Sequence, residues 1–339
     1  MIATLGMIGL AFSLDLLIGE PPNAAHPVAW FGRLVDALDC DRGATTDTRT
    51  ENADRRQRRA GFAIALFAPL LPAVAAAVLV IAATALAPLA GAVAAALVLF
   101  LSMSLRSLLE LTDSVVAATA AADLETARER VRGLVGRETS TLSAAELRSA
   151  AVESAAENLA DGLVATLVPF ALLAPISPAA AAAAAAWVKG VNTLDSMLGY
   201  PDKPIGTASA RLDDLVMWLP ARLSAVAIAV AAVDPLALGR ARRWARAPPS
   251  PNSGWPMATL ACALDVRLRK PGVYDLNPER DLPTLADGER AVRVVGRGAA
   301  VAVLVAVALA VGADAAVADV AATPLEARLR LVVPEVTIR

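Results

Sequence analysis

The sequence predicts an all-α, polytopic membrane protein whose helical loops face the cytoplasm. Of its 339 residues, 57% are hydrophobic, and the mean hydropathy of +0.56 is high for a soluble domain. Aromatic residues make up only 4%, so alanine, valine and leucine supply most of the apolar content. Small residues of this kind let membrane helices pack closely. One membrane-embedded domain therefore explains the composition better than two soluble domains.

Six apolar segments account for the predicted membrane helices. The first lacks the basic region and cleavage site of a signal peptide, so we expect it to be retained. The second and third are separated near Pro88 and are predicted to form a hairpin, because a span needs roughly 20 apolar residues. Pro175 and Pro178 divide the fourth into halves too short to cross, which predicts a re-entrant or steeply broken segment. The segments are residues 1–18, 61–83, 86–103, 162–187, 215–233 and 298–312.

Four polar stretches connect these segments, at residues 19–60, 104–161, 188–214 and 234–297. Arginines cluster at 55–59, 106–132 and 240–246, so the positive-inside rule places these loops in the cytoplasm and the N-terminus outside. The part from 32 to 59 is predicted to be a flexible loop. Ser143 and Glu146 form a capping-box pattern that predicts a helix start.

The charge and the histidine and cysteine content exclude several classes of protein. A net charge of −2 gives no basic field for a nucleic acid. Cys40 and Cys262 form no CxxC pattern and His26 is the only histidine, so neither zinc nor haem is expected. A metal would need oxygen ligands, which favours Mg²⁺. The sequence contains no GxxxxGK[ST] P-loop and no strand-borne GxGxxG motif.

The first of five polar blocks runs from Asp15 to Gly32, where the first span leaves the membrane. Its Gly-Glu-Pro-Pro sequence is explained better as a helix stop than as a site, since proline removes a backbone donor. Asp15 is different, because a carboxylate one turn inside a span is costly and usually functional.

The second block places Glu153, Glu157 and Asp161 on one helical face, four residues apart. Like charges at this spacing repel by a few tenths of a kcal/mol per pair. No lysine or arginine at neighbouring helical positions offsets them, and the face runs into an apolar segment. A divalent cation or a cationic partner explains the block better than a solvated acidic face.

In the third block, residues 189–200, Lys189, Asn192 and Ser196 share a helical face. A lysine that reaches from a helix end to water would explain Lys189 but not the polar residues that follow.

The fourth block, residues 208–223, contains the adjacent carboxylates Asp213 and Asp214. They suit either a helix N-terminus or a metal site. The fifth block, residues 250–256, is rich in turn-forming residues, and a plain connector remains an alternative.

Together and in this order, the five blocks resemble the cobinamide-phosphate synthase family of cobalamin biosynthesis. The resemblance extends from Asp15 to about Tyr274 and includes flanking sequence around Arg137 and Arg267. Family members are integral membrane proteins that join aminopropanol or its phosphate to cobyric acid as an amide, with ATP. This chain departs from the family in a short connection at 201–207. It also has Met257 where the family usually has an acidic residue, so we assign Met257 no role.

The resemblance implies ATP and Mg²⁺ as cofactors, because a carboxylate must be activated before it can form an amide. The implied metal ligands are Glu153, Glu157, Asp161, Asp213 and Asp214. The implied catalytic residues are Asn158, Lys189, Asn192, Asp195, Ser196 and Arg211. The implied cofactor-binding residues are Asp15, Glu20, His26, Arg222, Asn252, Gly254 and Trp255. Expected partners are cobyric acid, the amine, ATP, the lipid bilayer of the cell membrane and other membrane enzymes of the pathway.

Two other functions remain open at the level of sequence. A transporter or binding protein for a corrinoid or polar metabolite would share the intramembrane Asp15 and the proline-broken segment. No inverted repeat accompanies them, and the polar blocks lie at membrane edges. A scaffold for pathway enzymes would not need so many carboxylates. The sequence also leaves open an acyl phosphate or an acyl adenylate, and an amine with or without phosphate.

Overall fold

The computed structural model describes residues 1–39, 51–135, 138–200 and 202–322. About three quarters of these residues are helical, which confirms the all-α prediction. The only strands among the described residues form one short antiparallel hairpin of β1 (Leu268–Lys270) and β2 (Tyr274–Leu276), in which Leu268 pairs with Leu276.

The helices follow one another with short connections. In the first part of the chain they are α1 (Ile2–Ile18), α2 (Pro27–Leu38), α3 (Glu51–Phe67), α4 (Leu70–Leu86), α5 (Pro88–Ser102), α6 (Leu105–Ala120) and α7 (Leu124–Val131). The remainder are α8 (Ala144–Leu159), α9 (Ala165–Leu173), α10 (Pro178–Leu198), α11 (Thr207–Val216), α12 (Trp218–Ala231), α13 (Ala237–Ala241), α14 (Gly254–Leu264) and α15 (Leu285–Ala322). A π-helical turn, Ala160–Val164, joins α8 to α9, and a 3₁₀ turn, Pro204–Gly206, precedes α11.

Several helices are long and apolar enough to cross a membrane, which supports the prediction of a polytopic membrane protein. By length and composition, four such helices occur in the described residues, or five if a pair bent by 49° between α11 and α12 counts as one span. The four are Glu51–Leu86, Pro88–Ala120, Ala144–Leu173 and Leu285–Asp319. The apolar helix α1 is shorter, at 17 residues.

Two helical hairpins occur where prolines divide the apolar segments. α4 and α5 turn back on each other at Ala87, with Pro88 as the first residue of α5. The chain turns again between α9 and α10, where the Ser177 hydroxyl accepts a hydrogen bond from the Ala180 amide. The two turns lie side by side, since Thr84 and Ser177 line one small cavity. Both predicted breaks are therefore present, and both hairpins reach in the same direction.

The prediction of a flexible loop at residues 32–59 is wrong for the described part of that segment, because α2 and α3 occupy much of it. Phe31 and Val35 of α2 are buried in an apolar cluster with Leu194 and Leu198 of α10. These tertiary contacts stabilise α2 despite the breaker-rich sequence around it. Residues 40–50 of the predicted loop lie outside the described residues.

The polyalanine part of α10 lies in the core. Ala181, Ala182 and Ala185 are fully buried in the cluster shared with α4 and α5. Such small side chains allow the helix backbones to approach closely. On the opposite side of α4, Val74 and Val78 are each 59% exposed, as expected of a surface that faces lipid.

The capping box predicted at the start of α8 is confirmed, since Ser143 and Glu146 bond reciprocally. As the sequence indicated, α8 runs into the apolar segment, but the π-helical turn that joins it to α9 was not predicted. The resulting helix, Ala144–Leu173, is 30 residues long. Carboxylates of the second block therefore lie along a helix that leads directly into the apolar segment.

Candidate active site

Carboxylates from three parts of the chain face one another around Asn192. Asp161 lies in the π-helical turn, a local widening that is frequent at functional sites. The Asn192 side-chain amide of α10 donates a hydrogen bond of 3.3 Å to Asp161 Oδ2. The second and third sequence blocks therefore meet, as the proline-broken segment predicted.

Asp213 of α11 completes this group. Its side chain is buried, interacts electrostatically with Asp161 and Asp195, and is also contacted by the Asn192 amide. Its Oδ1 atom is buried without a hydrogen-bond partner among the described residues. We call Asp161, Asn192, Asp195 and Asp213 the carboxylate cluster. An unsatisfied buried carboxylate oxygen is costly, so a cationic ligand here would relieve an existing penalty.

Asp195 lies beyond the apolar part of α10 and outside the candidate spans. Its burial, and secondarily the negative charge of Asp214, raise the pKa of Asp195 to about 6. The carboxyl group therefore changes its charge near neutral pH, which a site that binds and releases cations can use.

The five predicted metal ligands do not form one metal cage. Among the residues that the structure describes, no group of three or more His, Cys, Asp or Glu side chains is arranged to hold an ion. Two of the five have other partners. Asp214 accepts a 3.0 Å hydrogen bond from Ser250, and Glu153 accepts from the Ser149 and Tyr274 hydroxyls. Of the other three, Asp161 and Asp213 belong to the carboxylate cluster, and Glu157 lies one helical turn before Asp161, outside it.

Glu153 instead connects α8 to the β-hairpin. The hydroxyls of Ser149 and Tyr274 donate to its two oxygens at 2.7 and 2.8 Å. Ser149 Oγ also accepts a hydrogen bond of 2.8 Å from the Arg269 amide in β1. This network fixes the hairpin against the acidic face of α8 and explains a buried carboxylate without a metal.

The fourth and fifth blocks meet at Arg222. Its guanidinium carbon lies 4.8 Å from the Trp218 ring centre and 5.4 Å from that of Trp255. Arg222 also donates a hydrogen bond to Asn252 Oδ1, and Asn252 donates to the Asp214 carbonyl oxygen at 2.7 Å. These contacts hold the fifth-block loop beside the carboxylate cluster.

Gly254 has a steric role at this loop. A Cβ atom added there would overlap the Ala245 carbonyl oxygen and crowd the Pro248 ring. Glycine is thus explained by close backbone packing at the start of α14.

Asp15 contacts another helix rather than an open site. It is 1% exposed, and Asp15 Oδ2 accepts a 3.0 Å hydrogen bond from the Arg106 amide at the start of α6. A carboxylate stabilises a helix N-terminus by accepting from its free amide groups. This contact satisfies one oxygen of the carboxylate, whereas Asp15 Oδ1 is buried without a hydrogen-bond partner among the described residues. The cofactor contact predicted for Asp15 stays a prediction.

Glu20, His26 and Lys189 lie near one another where α1, α2 and α10 approach. His26 Nδ1 accepts from the Val28 amide at the start of α2, and Nε2 is 4.0 Å from Glu20 Oε1. The pKa of His26 is lowered, mainly by burial, so the ring is neutral at pH 7. Lys189 interacts electrostatically with Glu20 and Asp161 but forms no ion pair with a described residue. Its ammonium group is available to an anion beside the carboxylate cluster.

The remaining predicted catalytic residues differ in their surroundings. Asn158 donates to the Ser154 carbonyl oxygen, one turn earlier in α8, at 3.0 Å. Ser196 donates to the Asn192 carbonyl oxygen at 2.9 Å. Arg211 is exposed. These three side chains are near the cluster in sequence, but the structure gives none of them a contact with its carboxylates.

Sequence reasoning missed Lys270 and Tyr274, which lie beside Glu153 and Glu157 around a small cavity. The available signal was the scarcity of lysine, since only three of the 31 basic residues are lysines. Their place in a β-hairpin folded against α8 could not be read from local pattern.

Comparison with known proteins gives consistent similarities. Residues 8–304 match the family model described as CobD/Cbib protein. The chain is 33% identical over 313 residues to the probable cobalamin biosynthesis protein CobD of Methanothrix thermoacetophila, covering 88% of this chain and 95% of that relative. It is 36% identical over 296 residues to the cobalamin biosynthesis protein CobD of Klebsiella pneumoniae, covering 84% and 88%. No solved structure matches the chain.

Proposed function

The chain belongs to the CobD/Cbib family, and from that premise we propose that it is an ATP-dependent ligase of cobalamin biosynthesis. The reaction joins (R)-1-amino-2-propanol, or its O-phosphate, to cobyric acid through an amide bond. The product is cobinamide or its phosphate. We further propose that the protein lies in the cell membrane with its active site on the cytoplasmic side, where ATP is available.

The observation that carries this proposal is the carboxylate cluster around Asn192. Activation of a carboxylic acid by ATP is catalysed chiefly by positioning and by neutralising charge. Asp161 and Asp213 supply the oxygen anions, and the Asn192 amide fixes the orientation of Asp161. Lys189 lies close enough to interact electrostatically with Asp161, and its ammonium group can bind a phosphate or the substrate carboxylate.

The residues of the cluster fit Mg²⁺ that arrives with a nucleotide. Mg²⁺ is usually held by one or two carboxylates together with substrate phosphates, not by a protein cage. Asp213 Oδ1, which is buried without a hydrogen-bond partner among the described residues, would be one such ligand, and Asp161 would be the second. Bound there, the ion would neutralise phosphate charge. Three protein ligands are not required for this role.

The proposal is tested by a product assay. Purified protein in detergent or nanodiscs is incubated with cobyric acid, ATP, Mg²⁺ and either amine, and the corrinoid is analysed by mass spectrometry. We expect the mass of the amide only when all components are present. Folded protein that binds cobyric acid but forms no heavier product with either amine would contradict the ligase. That result would favour a corrinoid transporter or binding protein.

A further inference from the structure

A small cavity lies on the side of α8 that faces the β-hairpin. Its volume is about 110 Å³, close to that of four water molecules. Three polypeptide segments form it: the end of the α7 region, α8 and the hairpin. The lining residues are Leu134, Val135, Glu153, Ser154, Glu157, Lys270 and Tyr274. It is large enough for a short-chain metabolite.

The polar groups of this cavity fall into two kinds. The hydroxyl of Tyr274 donates to Glu153, and that of Ser154 donates to the Leu134 carbonyl oxygen at 2.8 Å. Glu157 and Lys270, by contrast, form no hydrogen bond or ion pair with the residues that the structure describes. One carboxylate and one ammonium group therefore line the same cavity without pairing with each other.

We propose that this cavity binds the amine substrate by its two ends, with the substrate ammonium on Glu157 and its phosphate or hydroxyl group on Lys270. The inference rests on the proposed function and assigns the amine a place in that site. A ligand with a cation and an anion separated by a short carbon chain would meet an opposite charge at each end. Desolvated charge pairs of this kind give specificity to a small site.

The position of Glu157 gives the bound amine a direction. Glu157 lies one helical turn before Asp161, and its carboxylate interacts with those of Asp161 and Asp195 as well as with Lys270. An ammonium group held by Glu157 therefore lies at the edge of the carboxylate cluster. The other end of the ligand points away, towards the β-hairpin. This is the orientation in which the nitrogen approaches an activated acyl group.

The cavity can be tested by binding, without turnover. Titration calorimetry uses the purified full chain with 1-amino-2-propanol or its O-phosphate, in the absence of ATP and corrinoid. Lys270→Gln should weaken binding of the phosphate ester at least about tenfold and change binding of the free amino alcohol little. Glu157→Gln should weaken both ligands, because both carry the ammonium group. Lys270→Arg keeps the charge and should restore most of the phosphate ester's affinity.

Two matched controls separate the cavity from general effects of charge. Arg269→Gln removes a positive charge from the neighbouring residue of β1, whose side chain points to the opposite face of the strand. Glu129→Gln removes a negative charge from an exposed position of α7. Both variants should bind both amines like the original chain. Thermal unfolding checks that every variant is folded.

The outcomes separate this inference from the proposed function. Equal affinities of the Lys270→Gln variant and the original chain for the phosphate ester would overturn the inference, even if the product assay succeeds. The inference is also overturned if Lys270→Gln raises the KM for ATP and leaves amine binding unchanged. Lys270 would then bind a phosphate group of the nucleotide. If added Mg²⁺ restores amide formation by the Glu157→Gln variant and added amine does not, Glu157 binds a metal and the inference fails. Lys270-dependent amine binding with no amide product would support the cavity while contradicting the ligase.

Discussion

The Asn192 side-chain amide and the Asp161 carboxylate, 31 residues apart in the chain, are joined by a hydrogen bond of 3.3 Å. The residues between them form the hairpin of α9 and α10, so the chain enters and leaves the apolar region on the same side. A single straight span would have separated the two residues by the thickness of a bilayer, roughly 30 Å. The hairpin is thus what makes a shared site possible.

Asn192→Ala should lower kcat/KM for amide formation at least about tenfold while the protein stays folded. The amide group orients Asp161 within the carboxylate cluster, and a tenfold loss corresponds to roughly 1.4 kcal/mol of transition-state stabilisation. Steady-state kinetics with ATP as the varied substrate measures the change. Thr193→Ala, on the adjacent position of α10, is the control, because the Thr193 hydroxyl only contacts the Lys189 carbonyl oxygen of its own helix. If Asn192→Ala turns over at nearly the original rate, the hydrogen bond between Asn192 and Asp161 does not contribute to catalysis.

The hairpin also predicts which side of the membrane the site faces. A single cysteine at Ser196, which is exposed on α10, should be labelled by a membrane-impermeant maleimide only in broken cells. Cys40 and Cys262 are first replaced so that they do not react. The matched position is Ala315, beside Asp314, which pairs with the N-terminal amine at 2.9 Å. Ala315→Cys should be labelled in intact cells. Labelling of Ser196→Cys from outside would contradict a cytoplasmic site.

How far the sequence predicts this structure depends on whether the signal is local. Pro88, Pro175 and Pro178 mark the two hairpin turns, and the alanine-rich composition of α10 agrees with its position in the core. The meeting of Asp161 with Asn192 followed from the same proline argument. These features are predictable because proline geometry and hydrophobic length act within a short segment.

Features set by distant contacts could not be predicted. Asp15 was expected to be functional, but its partner, the Arg106 amide, is 91 residues away. Glu153 was predicted to bind a metal, which stays a prediction, and the Tyr274 hydroxyl that donates to it lies 121 residues further along the chain. In both cases the unusual feature of the sequence, a carboxylate in an apolar setting, is present in the structure, where both side chains are buried. Only the tertiary structure shows that a backbone amide contacts Asp15 and that hydroxyl groups contact Glu153.

The stacking of Arg222 between Trp218 and Trp255 predicts different effects for two substitutions. Arg222→Lys keeps the charge but loses the planar group that stacks on both rings, so we expect a loss of stability of about 1 kcal/mol. Arg222→Ala should cost more, because Asn252 also loses its donor. Thermal unfolding measures stability, and kinetics measures the KM for ATP. If Arg222 instead binds a phosphate directly, Arg222→Lys will preserve the KM for ATP while Arg222→Ala raises it without loss of stability.

The raised pKa of Asp195 predicts how stability depends on pH. In the unfolded chain this carboxyl group ionises near its ordinary value of 3.8, whereas in the folded protein it ionises near 6. Folding therefore opposes ionisation of Asp195, and stability should fall as the pH rises from about 4 to about 6. The upper limit of this contribution is about 3 kcal/mol for a shift of this size. Asp195→Asn, which cannot ionise, should unfold at a higher temperature than the original chain at pH 7.

The measurement compares unfolding temperatures of the two proteins from pH 4.5 to 7.5 in detergent with a metal chelator. Because Asp213 and Asp214 also carry negative charge near Asp195, the curve of each protein alone mixes several groups. The difference between the two curves isolates Asp195, and it should grow from pH 4.5 to about 6 and level off above that. A difference that is constant with pH would mean that Asp195 is not buried among other carboxylates in the folded protein. The carboxylate cluster would then lose one of its members, since the shift arises from the same burial and charge that define the cluster.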